Sequence, residues 1–349
     1  EDRVIGLIMT VFVITSALDI NWFYFGIEEF KVTVIRNCVV KIISVILIFL
    51  FVKKPSDIIL YSLINVVGIF LSQVILWIMI PKYIKFVTIT WKDIGKHIKP
   101  NIVLFIPIVA ISLYKLMDKI MLGNMSCKSE VGYYESCEKI IQIPVSLVNA
   151  LGVVMLPRIS NMLANNQNKK SVEYIEKSIS FTFVVVTPML FGIMSVATEF
   201  VPLFYGKGFE KCIYLYQILL PSCLFLAIAN VVRTQFLIPH KKDNVYIISV
   251  FTGAFVNMII NWMLIPKFES IGAALGTLIA EAMVCIVQIV YIRKELDILQ
   301  FIKANIPMLF FGIVMYLILV NIRLNVNNFL LLMIKCIVGV IVYVGLLTV

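Results

Sequence analysis

Long apolar segments recur along the whole chain, and they constrain the fold more than any other feature. Most hold about 20 residues, the length that an α-helix needs to cross about 30 Å of hydrocarbon. Eleven segments are predicted to span a membrane: 4–25, 32–52, 57–80, 101–123, 138–158, 178–200, 212–238, 244–265, 271–292, 304–321 and 328–349. Hydrophobic residues form 61% of the chain, well above the share in soluble domains. The sequence therefore predicts an all-α polytopic membrane protein.

The distribution of lysine and arginine predicts the orientation of these spans. The loop between the third and fourth spans is the most basic, with Lys82, Lys85, Lys92, Lys96 and Lys99. Cytoplasmic loops carry an excess of such residues, so this loop is placed in the cytoplasm. Alternation of the spans then puts most of the other basic loop residues on the same side, Arg36 at the first junction among them.

Aromatic residues close the first span. Trp22, Phe23, Tyr24 and Phe25 stand where this span is expected to leave the membrane on the cytoplasmic side. Amphipathic rings favour the headgroup layer. These four residues are therefore predicted to form an interfacial belt.

Composition argues against several classes of function. The formal charge of +10 is assigned to cytoplasmic loops and an anionic ligand rather than to nucleic acid. His97 and His240 lie in basic loops, and no cluster has the spacing of a metal site. No CxxC motif occurs. Cys127 and Cys137 flank one short loop and are candidates for a disulfide if this loop faces the outside.

Ionisable residues inside the spans indicate where function lies, because each is expensive in hydrocarbon. Lys115, Asp118 and Lys119 follow one another at i, i+3 and i+4 and share a helix face. One interpretation is an internal ion pair that holds helices together. The other is a net-positive cavity wall for an anionic head group.

The next spans contain four further candidates. Lys139 either extends to the interface or faces the same cavity as Lys119. Gln142 follows it, and Asn149 lies deeper on the same helix. Glu281 is either a proton or cation site or a hydrogen-bonded structural carboxyl.

Two patterns predict helix packing. Asn257 and Asn261 stand four positions apart and are expected to bond to a neighbouring helix. Gly272, Gly276 and Ala280 form a stripe of small residues in "IGAALGTLIAE". Such a stripe favours close contact between membrane helices.

Six segments in order resemble one known family. They are "LDINWFYFGIEEFKVTVIRN", "YKLMDKIMLG", "EVGYYESCEKI", "VVMLPRISNML", "FVPLFYGKGF" and "SIGAALGTLIAE". The chain resembles the Wzx-type oligosaccharide flippases over essentially its whole length. These form the RfbX-like polysaccharide biosynthesis branch of the MOP superfamily, which also holds the MATE exporters and the MurJ lipid II flippases.

The resemblance implies a MATE-like bundle of two lobes around a central cavity, with about fourteen helices when two appended helices are included. The first span then corresponds to the fourth helix of the family, and the chain is expected to be a fragment. Residues 1–98 would be the remainder of the N-terminal lobe, 99–292 the C-terminal six-helix lobe and 293–349 the appended pair. Lys139 stands five positions before Pro144, where MurJ-like relatives carry a basic cavity residue.

The resemblance also implies a function. The expected activity is flipping of undecaprenyl-pyrophosphate-linked oligosaccharide from the cytoplasmic to the outer leaflet of the bacterial cytoplasmic membrane. The expected contacts with the pyrophosphate and the cavity are Lys139, Lys119, Lys115, Gln142 and Asn149. Asp118 and Glu281 are expected to couple transport to H⁺ or Na⁺, and no other cofactor is expected.

Two alternatives stay open at this point. One is a MATE-type cation-coupled exporter of small molecules, and the other is a membrane-embedded glycan transferase or polymerase. The expected partners of a flippase are the lipid bilayer, a polysaccharide polymerase and other assembly proteins, and no nucleic acid.

Overall fold

The computed structural model describes residues 2–27, 29–85, 90–91, 94–96, 98, 101–102 and 116–348. Within these residues every regular element is helical. The chain divides into two compact units, Glu1–Pro100 and Asn101–Val349. The finer division into 1–98, 99–292 and 293–349 stays a prediction.

Ten helical segments of the described residues are long and apolar enough to cross a membrane. They correspond to ten of the eleven predicted spans. The other predicted span, 101–123, lies largely outside the described residues, although 116–125 are helical. The prediction of an all-α polytopic membrane protein is confirmed.

The first unit contains α1 (Asp2–Ala17), α2 (Asn21–Gly26), α3 (Phe30–Phe51) and α4 (Ile58–Met79). The predicted first span is broken between α1 and α2. Asp19 lies in this break, and its carboxylate accepts a hydrogen bond from the backbone N–H of Asn21 at 2.8 Å. The carboxylate thereby satisfies an N–H that the helix itself leaves free at its start.

Two residues near this break differ from the prediction. Tyr24 is fully buried, and its hydroxyl donates to the carbonyl of Leu76 at 2.9 Å, so it does not belong to an interfacial belt. Arg36 lies inside α3 and is 6% exposed, so it is not a loop charge. It donates to the carbonyl of Ser72 and to the side-chain oxygen of Asn21, each at 2.9 Å. These neutral acceptors replace water around the guanidinium.

The second unit continues after residues 116–125 with α5 (Lys128–Ala164), α6 (Asn168–Phe204), α7 (Lys211–Leu219), α8 (Ser222–Val232), a π-helical turn (Arg233–Leu237), α9 (Asp243–Phe268), α10 (Ser270–Ile292), α11 (Ile298–Asn321) and α12 (Asn328–Leu347). Helices α5 and α6 each hold 37 residues and are about 55 Å long. They extend beyond the hydrocarbon layer, so the predicted spans 138–158 and 178–200 cover only their central parts.

The length of α5 also excludes the disulfide considered for Cys127 and Cys137. Cys127 directly precedes the helix and Cys137 lies ten positions further along it. Ten positions of helix separate two Cα atoms by about 15 Å, whereas a disulfide requires less than about 7 Å. That prediction is wrong because no hairpin loop brings the two residues together.

The predicted span 212–238 is not one regular helix. Pro221 lies between α7 and α8. It has no backbone N–H, so it cannot donate the hydrogen bond that a continuous helix would need at this position. After Val232 the backbone widens into the π-helical turn Arg233–Leu237. Such turns are rare and occur frequently at functional sites.

Small residues bring α9 and α10 into close contact, as predicted. A Cβ atom on Gly272 would lie 2.5 Å from the backbone oxygen of Leu264. A Cβ on Gly276 would overlap the side-chain oxygen of Asn261, and Ala280 is fully buried on the same stripe. The absence of larger side chains therefore lets these two helices carry polar groups that meet at short distance.

The second unit has an apolar interior and an apolar exterior. Phe183 of α6 and Leu215 of α7 belong to one large buried cluster. Trp262 and Phe310, by contrast, are 70% and 62% exposed. An apolar outer surface suits helices in contact with lipid.

The last two helices pack against α6. Lys335 of α12 is 3% exposed and donates to the carboxylate of Glu199 in α6 at 2.8 Å. The hydroxyl of Thr198 donates to the other carboxylate oxygen at 2.9 Å. This ion pair joins two helices at a site from which water is excluded.

Candidate functional site

A polar cavity of about 580 Å³ lies inside the second unit. Its walls come from Asp118 in the segment 116–125 and from helices α5, α7, α8, α9 and α10 with the π-helical turn. Among the described residues three carboxylates line it, those of Asp118, Glu138 and Glu281, together with one guanidinium, that of Arg233.

One face of α5 forms the longest wall of this cavity. Glu138, Gln142, Val145, Asn149 and Gly152 line it at alternating spacings of four and three positions. Residues at these spacings lie above one another on one side of a helix. Two of the predicted substrate contacts, Gln142 and Asn149, therefore face the cavity.

Asp118 is the centre of one end of the cavity. It is 8% exposed. One carboxylate oxygen accepts hydrogen bonds from the hydroxyls of Tyr134 and Thr277, both at 2.9 Å, and the other accepts one from Asn261 Nδ2 at 2.6 Å. Each of these described donors is neutral.

Asn261 extends this cluster into α9. Its amide nitrogen also donates to Asn257 Oδ1 at 3.1 Å. Its own side-chain oxygen is buried and has no hydrogen-bond partner among the described residues. The carboxylate of Asp118, the two amide oxygens and the Thr277 hydroxyl are oxygen ligands of the kind that hard cations prefer. The arrangement can hold a proton on Asp118 or a small cation among these oxygens.

Arg233 dominates the opposite end of the cavity. Its guanidinium lies 5.3 Å from the ring centroid of Tyr246, and Nη1 donates to the Tyr246 hydroxyl at 3.3 Å. Nearby, Asn230 Nδ2 donates to Asn149 Oδ1 at 2.5 Å. Glu138 and Asn149 lie eleven positions apart on α5, so the two ends are separated by about 16 Å along this helix. The cavity is therefore acidic at one end and basic at the other.

Two of the three predicted lysines, Lys119 and Lys139, do not line this cavity. Lys119 binds Glu138 at 2.8 Å, so it neutralises a lining carboxylate without lining the cavity itself. The side chain of Lys139 is 73% exposed and lies 3.5 Å from Glu135, one turn away. Lys139 follows Glu138 directly, and adjacent helix positions point in directions about 100° apart. Lys115 lies outside the described residues. Contact of these lysines with substrate stays a prediction.

The structure adds residues that the sequence interpretation did not assign to the site. Asn257 and Asn261 were expected to bond to a neighbouring helix, and Asn261 does so through Asp118, whereas the bond between the two asparagines lies within α9. Tyr134 and Arg233 were not considered. An arginine inside the apolar segment "ANVVRTQFL" is a signal that could have identified Arg233, because such a residue is costly in a membrane.

Comparison with known proteins agrees with the resemblance that the sequence motifs indicate. Residues 3–163 match the family model of polysaccharide biosynthesis proteins. A putative O-antigen transporter of Escherichia coli (strain K12) is 24% identical over 276 residues, which are 78% of this chain and 66% of the relative. The resemblance to the Wzx-type flippases is confirmed.

Two other matched proteins extend this result. The putative O-antigen transporter of Shigella dysenteriae is 24% identical over 80% of this chain and 70% of its own length. The probable low-salt glycan biosynthesis flippase Agl15 of Haloferax volcanii is 24% identical over 53% of this chain and 39% of its own length. These names describe transporters and flippases, in agreement with the expectation of a membrane transporter.

The fold has a counterpart among solved structures. The lipid II flippase MurJ, in an inward closed conformation, matches with a TM-score of 0.71 and 20% sequence identity. The match covers 90% of this chain and 65% of the MurJ chain. It shows that the chain has a MurJ-like fold. The chain spans about two thirds of the length of the first relatives and of MurJ.

Proposed function

We propose that the protein flips undecaprenyl-pyrophosphate-linked oligosaccharide repeat units from the cytoplasmic to the outer leaflet of the bacterial cytoplasmic membrane. The similarity to O-antigen transporters and to a glycan flippase supports this class of substrate. The observation that carries the proposal is the polar cavity inside an apolar unit, lined by carboxylates, amides and a guanidinium.

The cavity addresses the physical problem of moving sugar and pyrophosphate across hydrocarbon. These groups lose their hydration on entering lipid. The loss costs on the order of several kcal/mol for each polar group that finds no hydrogen-bond partner there. Amide side chains such as Gln142 and Asn149 supply replacement hydrogen bonds. The lipid tail stays in the bilayer, and the two lobes expose the cavity to each side in turn. No covalent step is required, and a polymerase and other assembly proteins use the product.

Transport in one direction requires a source of free energy. We assign coupling to Asp118, with Glu281 as the second carboxylate of the cavity, and H⁺ or Na⁺ as the coupling ion. Asp118 supports this assignment because its described hydrogen-bond partners are all neutral, so a proton or cation can add to it without first breaking an ion pair with one of them. Transport assays with and without Na⁺ at several pH values identify the ion.

A complementation experiment tests the proposed function. In a strain that lacks its own flippase, the protein is expected to restore surface polysaccharide and to clear lipid-linked repeat units from the inner leaflet. Variants Gln142→Ala and Asn149→Ala are expected to lower export at equal protein level. Absence of export by the unmodified protein, with correct insertion and a compatible repeat unit, would refute the proposal.

Lys139 has a matched control within the chain. Lys139 pairs with Glu135 and Lys177 pairs with Glu173, each one turn apart on an exposed helix surface. Lys139→Ala is expected to lower export if this residue contacts pyrophosphate, whereas Lys177→Ala is expected to leave it unchanged. Equal export by the two variants would remove Lys139 from the proposed site. Lys119→Ala and Lys115→Ala test the other two predicted lysines in the same export assay.

One observation favours a second candidate, a cation-coupled exporter of small molecules. The cavity is lined by more carboxylates than cations among the described residues, and an acidic cavity suits cationic compounds. A strain carrying the protein would then tolerate cationic drugs better than its parent, and surface polysaccharide would not change. Asp118→Asn should abolish that tolerance.

A further inference from the structure

The basic end of the cavity carries features that the proposed function has not used. Arg233 lies within the apolar segment Lys211–Leu237, which is long enough to cross a membrane. A guanidinium in such a segment is costly, so it is retained only where it has polar partners or a ligand. Arg233 also begins the π-helical turn, and such turns occur frequently at functional sites.

The described part of the chain provides Arg233 with few partners. Nη1 donates to the Tyr246 hydroxyl, and the ring of Tyr246 lies beside the guanidinium. The Nε atom is buried and has no hydrogen-bond partner among the described residues. No carboxylate of the described residues lies within ion-pair distance, whereas the buried Lys335 has Glu199. Within the described part of the chain, the charge of Arg233 therefore has no carboxylate partner, and this residue lines the cavity.

Two asparagines stand beside this charge. Because Asn149 Oδ1 accepts from Asn230, the amide nitrogen of Asn149 remains a donor on the cavity wall. The side-chain oxygen of Asn230 is buried, and a Cβ on Gly152 would lie 2.8 Å from it, so this oxygen faces α5 and not the cavity. The site therefore offers a cation and an amide donor.

We infer that Arg233 and Asn149 bind phosphoryl oxygens of a sugar-linked phosphate. The planar guanidinium matches two phosphate oxygens at once, which an ammonium group does not. Because the ligand would be the head group of the lipid-linked oligosaccharide, the inference rests on the proposed function. It places the phosphate at a residue other than the lysines expected from the sequence.

The depth of the site suggests its step in transport. Tyr246 lies three positions after α9 begins, which is about 5 Å along the helix. The lysines and arginines of the loops place this end of α9 on the cytoplasmic side. Arg233 would therefore receive the head group as it enters, at the end of the cavity opposite the coupling residue Asp118.

Binding measurements test this inference independently of transport. The protein is placed in nanodiscs of zwitterionic lipid and titrated with inorganic pyrophosphate and with undecaprenyl pyrophosphate. Arg233→Gln is expected to raise the dissociation constant of both probes at least tenfold. Arg233→Lys keeps the charge but not the planar fork and is expected to raise it several-fold. Unchanged dissociation constants in either folded variant would overturn the inference.

Arg158 provides the matched control. It too lies over a tyrosine ring, 4.3 Å from the centroid of Tyr174, and donates to the hydroxyl of that residue, but it is exposed and does not line the cavity. Arg158→Gln is expected to leave both dissociation constants within twofold of the unmodified protein. An equal loss in the Arg158 and Arg233 variants would show a general charge effect and overturn the site.

Nanodiscs that contain phosphatidylglycerol distinguish the sources of phosphate. If a bilayer lipid filled the site, adding phosphatidylglycerol would lower the affinity of the unmodified protein for pyrophosphate but not that of Arg233→Gln. In that case the assignment to a sugar-linked phosphate would be wrong. Affinity that is independent of the lipid supports it. If Arg233→Gln does not give a monodisperse protein, the dissociation constants of Arg233→Lys and Asn149→Ala test the inference in its place. Arg233-dependent binding without glycan export would refute the proposed function and leave the phosphate site intact.

Discussion

Asp118 and Glu199 are both carboxylates buried among apolar helices, but the protein holds them in opposite ways. Glu199 accepts from Lys335, joins α6 to α12 and does not line the cavity. Asp118 accepts from neutral donors among the described residues and lines the cavity. The difference teaches that burial alone does not indicate function in this protein. The charge of the partner and access to a polar space separate a structural carboxylate from one that is able to bind an ion.

The largest expected effect comes from breaking the structural pair. Lys335→Met leaves the Glu199 carboxylate buried without its cation, and removal of one partner of a buried ion pair costs about 3–5 kcal/mol. Thermal unfolding in detergent is expected to show a large loss of stability. The double variant Lys335→Met/Glu199→Gln should be nearly as stable as the unmodified protein, because no isolated buried charge remains. A stable single variant would show that the pair is not structural.

A functional effect without a comparable loss of stability is expected at Asp118. Asp118→Asn keeps the size of the side chain and removes the charge that we assign to ion coupling. Transport of lipid-linked oligosaccharide is expected to fall at least tenfold, equivalent to about 1.4 kcal/mol, and its dependence on pH or Na⁺ should disappear. Retained ion dependence in this variant would contradict the assignment. An unfolding temperature as low as that of Lys335→Met would show that Asp118 is a structural carboxylate like Glu199.

A smaller change at Gly276 tests whether the neutral donors matter. A Cβ at this position would displace the Asn261 side chain, whose amide donates to Asp118. Because this side chain can move, Gly276→Ala is expected to lower transport about threefold, the loss of about 0.7 kcal/mol that one weakened hydrogen bond produces. Stability should change little.

Gly192→Ala is the matched control for this substitution. Its added Cβ would lie 3.9 Å from Met315, an ordinary contact distance. Transport is expected to remain normal in this variant. If Gly276→Ala also transported normally, the bond from Asn261 to Asp118 would have no role in coupling.

The smallest effect is expected at an exposed carboxylate, Asp57, which lies between two spans. Backbone N–H groups of Lys53 and Lys54 each donate to it at 2.9 Å, and these bonds hold the pKa of Asp57 below its usual value. A lowered pKa in the folded state contributes stability above the unfolded pKa, and the contribution is lost as the pH falls through the folded pKa. Asp57→Asn should unfold at a slightly lower temperature at pH 7 and at the same temperature at pH 2. A difference that persisted at pH 2 would contradict this explanation.

The sequence anticipated those features of the site that follow from helix periodicity. Gln142 and Asn149 face the cavity because they stand seven positions apart on α5, almost two helical turns. Asp118 and Glu281 could be selected because ionisable residues are rare in apolar spans. The same reasoning placed Lys119 and Lys139 in the cavity, where the structure does not place them.

These errors have one physical cause. Spacing along a helix shows which residues share a face, but the direction of that face depends on how the helix is rotated against its neighbours. Lys139 follows the cavity residue Glu138 by one position and is nevertheless exposed beside Glu135. Arg233 begins a π-helical turn that no periodic pattern predicts.

The sequence by itself determined that the chain crosses a membrane many times, because runs of apolar residues are stable there only as helices with internally satisfied backbones. It also determined the resemblance to flippases through six ordered motifs. Only the tertiary structure decided which charges are neutralised and which face the cavity. Lys335 and Glu199 are 136 residues apart along the chain, and Asp118 and Thr277 are 159 apart. Whether such groups meet is decided by the packing of helices, since no local spacing links them.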